Sequence, residues 1–321
     1  MSPSAGKSTA TALGVMAVAG AGAFAYGALV ERNRFTVRHE TLPILEPGAR
    51  SLTVLHISDM HLAPWQSAKQ EWIRSLRVFE PDLMINTGDN MGHEDALPSV
   101  EYALEPFAGV PGVFVHGSND YFGPTPKNPM KYFKGPSGAV KSHAKLDVGA
   151  MEGYFSDTLG WLSLNNTARA LLIKGSRLEF FGTNDAHREW DRLDKLPGAI
   201  DEERENVAWA DTPGPEVVSI GVTHAPYQRV LNAFVTYGAS AIFAGHTHGG
   251  QVRAPGLPAL VTNCDIPADQ ASGLSHWSHA QKNAYLNVSA GLGTSIYAPF
   301  RFACPPEAVV VTLTARDFSY S

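Results

Sequence analysis

The sequence predicts an α/β fold, a four-layer α/β/β/α sandwich in which two mixed β-sheets pack together and helices cover their outer faces. Three observations support this prediction. Strand-like and helix-like segments alternate in the first half, and the second half is richer in strands. Of the 321 residues, 44% are apolar and only 17% are charged, so the chain can bury a sizeable core.

The first predicted element is an uncharged segment from Thr11 to Val30, which has about the length that a helix needs to span a bilayer. A cleaved signal peptide is the alternative, because Ala21–Ala23 resembles a small-residue cleavage site. Basic residues flank the segment on both sides and leave the membrane face open. The predicted division is a tail over 1–10, a transmembrane or signal-anchor helix over 11–30, a linker over 31–50 and a catalytic domain over 51–321.

The domain begins with alternating strands and helices. Apolar runs predict buried strands, and apolar residues spaced three and four apart predict a helix over 66–79. An extended loop is expected over 121–150 and an amphipathic helix over 151–164. A hairpin should turn near Lys174–Ser176. The other predicted strands cover 52–58, 83–87, 113–116, 217–224, 239–248, 285–291 and 307–315.

Five short polar segments each follow an apolar strand directly. Because ligand sites in α/β sheets form at the carboxyl ends of strands, we expect these segments to converge on one site. In extended backbone, residues two apart point to one side, as with Asp59 and His61 or His246 and His248. The segments are Ser58–His61, Thr87–Asn90, Gly117–Asp120, Val222–Pro226 and Gly245–Gln251.

The order of these segments resembles that of the calcineurin-like metallophosphoesterases, from about residue 52 to 315. The family pattern is Asp-x-His, Gly-Asp, Gly-Asn-His-Asp/Glu, His and Gly-His-x-His. Through GHTHGGQ and SAGLGTSIYAPFRF, the chain is most similar to a bacterial membrane-associated or exported branch. The resemblance implies two divalent metal ions. One would be held by Asp59, His61, Asp89 and His248, and the second by Asp89, His224 and His246.

One segment departs from the family pattern, because Gly117-Ser118-Asn119-Asp120 stands where Gly-Asn-His-Asp is expected. Aligned without a gap, Ser118 replaces the Asn that binds the second metal, and Asn119 replaces the His that protonates the leaving group. After a one-residue shift, Asn119 itself reaches the metal. Asn cannot act as a general acid, so either another group donates the proton or the leaving group is a good one. His93 and His187 are the histidines near the motif loops.

The predicted reaction follows from these ligands. Imidazole, carboxylate and amide groups suit Mn, Fe or Zn. Two such ions attract a phosphate and activate a bridging water for in-line attack. Asp59, Asp89, Asn119 and Asp120 are the candidate catalytic residues, with Asp120 bracing the site.

We therefore expect a metal-dependent phosphodiesterase at the cell membrane, acting on phosphate esters that include lipid-linked ones. The alternatives are a metal-binding membrane protein that has lost catalysis and a dinuclear hydrolase of another bond, such as an amide. The net charge of −6 argues against a nucleic-acid-binding surface. Cys264 and Cys304 can form one disulfide bond or remain two buried thiols. Arg253 and Arg301 are candidates for contact with a substrate phosphate.

Overall fold

The protein folds into two mixed sheets that pack face to face, with helices on both outer faces. A computed structural model describes residues 4–126, 144–209 and 212–317, with side chains from Leu13 onwards. Each sheet has six strands. This architecture confirms the predicted four-layer sandwich.

The first sheet has the spatial order β1-β12-β2-β3-β4-β5. Strands β2 to β5 run parallel to one another, and β12 is antiparallel to β2. Its strands are β1 (Thr36–Leu45), β2 (Leu52–Ile57), β3 (Leu83–Asn86), β4 (Gly112–Phe114), β5 (Trp161–Ser163) and β12 (Glu307–Ala315).

Strand β1 lies within the segment that the sequence predicted as a linker. It pairs in parallel with β12, and its charged residues conceal it from a search for apolar runs. Arg38 projects from this strand and forms ion pairs with Glu40 at 2.8 Å and with Glu307 of β12 at 3.1 Å. The linker interpretation therefore missed a strand of the first sheet.

The second sheet has the order β10-β11-β9-β8-β7-β6. The hairpin predicted near Lys174–Ser176 is confirmed as the turn between β6 and β7. Strands β7, β8, β9 and β11 are parallel. The strands are β6 (Thr167–Ile173), β7 (Ser176–Gly182), β8 (Val217–Val222), β9 (Ala241–Ala244), β10 (Gly273–His279) and β11 (Lys282–Val288).

Apolar residues on the inner faces of both sheets form the central core, which includes Val54 and Phe180. The outer cores lie under the helices, for example at Phe107 on the first sheet and Phe234 on the second. The helices are α1 (Ser4–Leu29), α2 (Ser67–Ser75), α3 (Leu97–Leu104), α4 (Ser118–Tyr121), α5 (Val148–Gly153), α6 (Leu196–Val207) and α7 (Gln228–Thr236).

Helix α5 differs from the helix predicted over 151–164. It begins earlier, at Val148, and widens into a π-helical turn over Tyr154–Leu159. Gly160 ends it in a left-handed conformation with φ 78°, and β5 follows at once. Of the loop predicted over 121–150, residues 127–143 lie outside the described part of the chain.

From Leu13 onwards, the residues of the N-terminal helix belong to none of the three cores. The segment Leu13–Asn33 is long and apolar enough to cross a membrane, and only 6% of its most apolar 18-residue stretch is buried. This length and composition are also typical of a signal sequence. The C-terminal turns of α1 contact the rest of the protein.

Candidate metal centre

The five polar segments come together because each follows a parallel strand. Strands β2, β3 and β4 are neighbours in the first sheet, and β8 and β9 are neighbours in the second. Their carboxyl ends share one edge of the sandwich, where the backbone N–H of His246 donates to Asp59 Oδ2 at 2.9 Å and links the two sheets.

Five of the candidate ligands have left-handed backbone conformations, which side chains other than Gly rarely adopt. Each such residue costs about 1–3 kcal/mol, which the surrounding structure must offset. Residues in strained conformations are frequent at functional sites, and here five of them are candidate ligands. The φ values are 48° at Asp59, 40° at His61, 55° at Asp89, 68° at His246 and 49° at His248.

Asp59, His61 and His248 form one half of the centre. The Nε2 atoms of the two imidazoles lie 3.3 Å apart. Asp59 Oδ1 is 3.5 Å from His248 Nε2 and 4.0 Å from His61 Nε2. This oxygen is buried and has no hydrogen-bond partner among the described residues, although a buried carboxylate oxygen normally has one.

Asp89 joins this half to a second one. Its Oδ2 lies 3.5 Å from His61 Nε2 and also 3.5 Å from His224 Nε2. His224 Nε2 in turn lies 3.3 Å from His246 Nδ1. Asp89 therefore stands between the two pairs of imidazoles.

Backbone carbonyl groups fix the orientation of three of the imidazoles. His224 Nδ1 donates to the Thr87 carbonyl at 2.7 Å, His248 Nδ1 to that of Gly293 at 3.1 Å, and His246 Nε2 to that of Asn263 at 3.1 Å. Because a carbonyl can only accept, each of these nitrogens carries the proton. The other nitrogen of each ring points inwards with its lone pair, as metal-binding histidines do.

The donor set fits divalent cations. His224 Nε2 and His246 Nδ1 face each other at 3.3 Å, a separation at which either a shared proton or a nearby metal ion removes the repulsion between two lone pairs. Groups of Asp59, His61 and His248, and of Asp59, Asp89 and His224, each have ligand atoms within 4.8 Å of one another. Mixed imidazole and carboxylate ligands suit first-row transition metals and Zn.

The carboxylates and imidazoles shift one another's ionisation. Burial opposes a charge on His224, but Asp89 outweighs it and raises the pKa of this imidazole well above its ordinary value. Burial likewise opposes ionisation of Asp89, but His224 holds the pKa of that carboxyl well below its usual range. Burial raises the pKa of Asp59 to about 6. Asp89 and His224 thus attract a positive charge between them, either a proton or a metal ion.

Ser118 and Asn119 differ in their contacts with the candidate ligands. Asn119 approaches the centre: its Nδ2 lies 2.6 Å from Asp89 Oδ2, and its backbone N–H donates to Asp89 Oδ1 at 2.9 Å. Within the described residues, the Ser118 hydroxyl makes no hydrogen bond to Asp89 or Asp59. A side chain at Gly117 would collide with Asp89 and His224, so this glycine lets the segment come close.

Asp120 lies under the loops and does not face the centre. Its carboxylate accepts backbone N–H groups from Asp89 at 2.8 Å, Asn90 at 2.7 Å and Gly117 at 3.0 Å. Three donors from two loops meet on one fully buried carboxylate. Asp120 therefore sets the position of Asp89 relative to Asn119.

The two arginines considered as substrate contacts have structural roles. Arg301 is fully buried and donates through Nη2 to the carbonyls of Ala290, Gly291 and Gly293 at 2.7, 3.0 and 2.8 Å. It thereby supports the same Gly293 carbonyl that orients His248. Arg253 donates to the Gly249 carbonyl at 2.6 Å and to the Ser272 hydroxyl at 2.6 Å.

The two histidines near the motif loops lie in different places. The ring of His187 lies against that of His246, with centroids 4.5 Å apart, and its Nδ1 is 3.0 Å from the Tyr227 hydroxyl. His93 contacts Trp65 instead. His116 was missed in the sequence; it is buried between Asp120, 3.8 Å away, and Glu152, 3.6 Å away. Its position directly before Gly117 in the sequence could have indicated that it lies near the candidate ligands.

Cys264 and Cys304 are free and buried, so the structure corresponds to two thiols and not to a disulfide bond. Burial raises the pKa of the Cys264 thiol to about 12. The Cys304 thiol donates to the carbonyl of His248 at 3.3 Å. Neither sulfur belongs to the cluster of candidate ligands.

Comparisons with known proteins indicate the family. A family described as calcineurin-like phosphoesterase matches residues 52–250. The chain is 26% identical over 288 residues to the uncharacterized protein YpbG of Bacillus subtilis, covering 88% of each. It is 21% identical over 317 residues to the uncharacterized metallophosphoesterase YkuE of the same organism, covering 95% of each.

Among solved structures, TT1561 of Thermus thermophilus is similar with a TM-score of 0.39 and 12% identity, over 76% of this chain and 91% of that one. Purple acid phosphatase PPD1 from yellow lupin seeds has a TM-score of 0.37 and 14% identity, over 62% of this chain and 38% of its own. The family match spans more than half of the sequence and includes four of the five segments in full and the fifth up to Gly250. The chain belongs to the calcineurin-like phosphoesterase family and is a metal-dependent phosphoric ester hydrolase.

Proposed function

We propose that the protein is a dinuclear metal-dependent phosphodiesterase. The observation that carries this proposal is the position of Asp89 between two pairs of inward-facing imidazole nitrogens. A carboxylate shared by two clusters can hold two ions at the spacing of about 3.5–4 Å that is found in two-metal hydrolases. The buried, unpartnered Oδ1 of Asp59 supports a cation in the first cluster.

The proposed ligands follow from the inward nitrogens and the nearest oxygens. Asp59, His61, Asp89 and His248 would hold one ion, and Asp89, Asn119, His224 and His246 the other. The proximity of Asn119 to Asp89 supports Asn119 over Ser118 as the oxygen ligand. An Asn side chain can present its oxygen after rotation of the amide. Mn, Fe and Zn match this donor set.

When bound, two divalent ions would supply positive charge for the phosphate and lower the pKa of a water for in-line attack on phosphorus. The protein's own groups provide the rest. Carbonyls of Thr87, Gly293 and Asn263 keep the imidazoles oriented, and Asp120 keeps Asp89 in place. Because these groups are fixed before substrate binds, little reorganisation is needed during the reaction.

The substrate preference follows from the amide at position 119. Asn119 cannot donate a proton to a departing alkoxide. Diesters and pyrophosphates whose leaving groups are weakly basic need no such donor. We therefore favour these substrates over simple alkyl phosphate monoesters.

The N-terminal helix supports a membrane-associated or lipid-linked phosphate ester as the natural substrate. Leu13–Asn33 has the length and apolar composition of a membrane-spanning helix. An enzyme held at a bilayer meets lipid headgroups at high local concentration. In this proposal α1 stays attached and is not removed as a signal peptide.

The experiment is phosphodiester turnover by the purified full-length protein on bis(p-nitrophenyl) phosphate. We expect activity that chelation abolishes and Mn restores, and that Asp89→Asn abolishes. Activity on amides but not diesters would favour a hydrolase of another bond. Bound metal without activity on any phosphate ester would favour a protein that has lost catalysis.

A further inference from the structure

The last turns of α1 are fixed to the catalytic domain near the metal centre. The ring of Phe24 stacks on Phe300, with centroids 5.2 Å apart, and Tyr26 meets Phe302 edge-on at 6.3 Å. The Gly27 carbonyl accepts the backbone N–H of Arg301 at 3.2 Å. The helix therefore lies against the segment 300–302.

Two further features hold this joint together. A side chain at Gly27 would collide with Phe300 and with the Arg301 carbonyl, so only glycine permits the close approach. Beyond the helix, the buried Glu31 accepts the Cys304 N–H at 2.7 Å. Arg32 donates to the Pro299 carbonyl at 3.4 Å. A joint with hydrogen bonds on both sides of the helix end does not behave as a flexible tether.

The length of the uncharged sequence sets the depth of this joint in a membrane. Residues 8–30 carry no charge. If the span ended before Phe24, it would include only residues 8–23, about 24 Å at 1.5 Å per residue. That is shorter than the hydrocarbon layer of about 30 Å. The turns from Phe24 onwards must therefore reach the membrane boundary, and the segment 300–302 lies there with them.

Large apolar side chains are exposed in the loops beside this joint. Leu257 is 59% exposed, Leu260 57% and Tyr297 52%; together we call them the apolar rim. The Gln251 side chain donates to the carbonyls of Ala298 and Phe300 at 3.0 and 2.8 Å and ties their two loops together. Single exposed apolar residues are common, but these lie in loops that are joined to the segment in contact with an apolar helix.

The stretch of chain that leads to Leu257 and Leu260 starts at the metal centre. Gln251 is three residues beyond the candidate ligand His248. The backbone N–H of Arg253 donates to the Phe302 carbonyl at 2.9 Å, so the same stretch of chain contacts the helix joint. Arg32 and Arg34 follow α1 directly. Basic and aromatic residues at this level match the headgroup layer of an anionic membrane.

We propose that the apolar rim is a membrane-docking surface that enters the headgroup layer and holds this edge of the catalytic domain against the bilayer. This inference rests on the proposed membrane attachment of α1 but not on the proposed phosphodiesterase activity. The partner is a lipid surface containing anionic phospholipid. Its consequence is that phosphate esters with lipid chains reach the metals without leaving the membrane.

Lipid-dependent fluorescence quenching tests this surface in the full-length protein. The variant Leu257→Cys is labelled at the new cysteine with an environment-sensitive fluorophore and reconstituted into vesicles of phosphatidylcholine and phosphatidylglycerol. Spin-labelled lipid in these vesicles is the quencher. Leu172→Cys is the matched control. Leu172 is 65% exposed and lies near the β6–β7 turn, at the end of the parallel strands opposite the candidate ligands. Wild-type protein, whose two cysteines are buried, gives the labelling background.

We expect the label at position 257 to lose most of its fluorescence while the label at 172 keeps it. Equal quenching at the two positions, or none at 257, would overturn the docking surface. Turnover of a soluble diester is measured on the same samples. Quenching at 257 without turnover supports the membrane-docking surface and contradicts the proposed phosphodiesterase activity. Turnover without quenching supports that activity and contradicts the docking surface.

Discussion

Asp120 acts on the centre through the loops that it holds. Its carboxylate accepts three short backbone hydrogen bonds, from Asp89, Asn90 and Gly117. In Asp120→Asn an amide N–H would face these donors and leave at least one without an acceptor. We expect the free energy of unfolding to fall by about 3 kcal/mol, together with most of the activity. Chemical denaturation and diester turnover measure the two effects.

The control for this substitution is Asp95→Asn, because the Asp95 side chain is 77% exposed. It should change the unfolding free energy by less than about 0.5 kcal/mol. Equal effects of the two substitutions would show that Asp120 does not brace the site.

Asn119 leads to a prediction about leaving groups. Without a proton donor at this position, kcat should fall steeply as the leaving group becomes more basic. A series of aryl methyl phosphodiesters with phenols of increasing pKa measures this slope. A flat slope in the wild type that becomes steep in His187→Gln would instead identify His187, which lies against His246, as the donor.

Lys69 should make stability depend on pH. Burial, followed by the nearby Arg301 and Arg32, lowers the pKa of this ammonium from 10.5 to about 7. Between these values the unfolded chain binds the proton and the folded protein does not. Stability should therefore rise with pH through that window, by at most about 1.4 kcal/mol per pH unit. Below it both states are protonated and the cost of burying the charge is fully present.

Thermal unfolding of the metal-free protein across this window measures the effect. In Lys69→Met the rise attributable to Lys69 should disappear, and the variant should gain stability at the acid end. The same slope in the variant and the wild type would contradict the assignment.

Candidate metal ligands were predictable where two of them stand close together in the sequence. Asp59 with His61, and His246 with His248, stand two apart after apolar strands. The carbonyls that orient the imidazoles were not predictable, because every residue has one and the contacts span long separations. His224 and Thr87, for instance, are 137 residues apart. The choice between Ser118 and Asn119 likewise needed the backbone path after β4.

At the scale of helices and strands, replacing two glycines by alanine should change the stability in opposite directions. Gly221 lies in β8 directly beneath Phe234 of α7, so an added methyl group must displace the ring. Gly198 lies in the first turn of α6 with open space around its Cβ position. Gly221→Ala should cost about 1–3 kcal/mol, and Gly198→Ala should gain about 0.4–1 kcal/mol.

Unfolding temperatures of the two variants measure this difference. A Gly221→Ala protein as stable as the wild type would show that β8 and α7 pack less closely than in this structure.

Apolar runs predicted the central strands well, because strands buried on both faces are apolar along their whole length. The missed strands β1, β5 and β10 lie at the sheet edges. Strand β10 (GLSHWSH) is polar and only partly buried, and β1 carries Arg38 and Glu40. Their pairing depends on partners distant in sequence, which local patterns do not contain.

For the whole molecule, the four-layer arrangement was predictable from the alternation of strands and helices. The edge at which the candidate ligands meet was predictable from the positions of the polar segments. The contact between α1 and the segment 300–302 was not, because it depends on the close approach at Gly27. This joint places the helix that could span a membrane beside the loops of the metal centre.

Metal content measured together with activity tests the central claim most directly. Elemental analysis of purified, Mn-reconstituted full-length protein should find two ions per chain, with one or none in Asp89→Asn because each cluster loses its shared carboxylate ligand. Diester turnover should appear only when both ions are bound. One ion per chain in fully active wild-type protein, or two in Asp89→Asn, would contradict a centre bridged by Asp89.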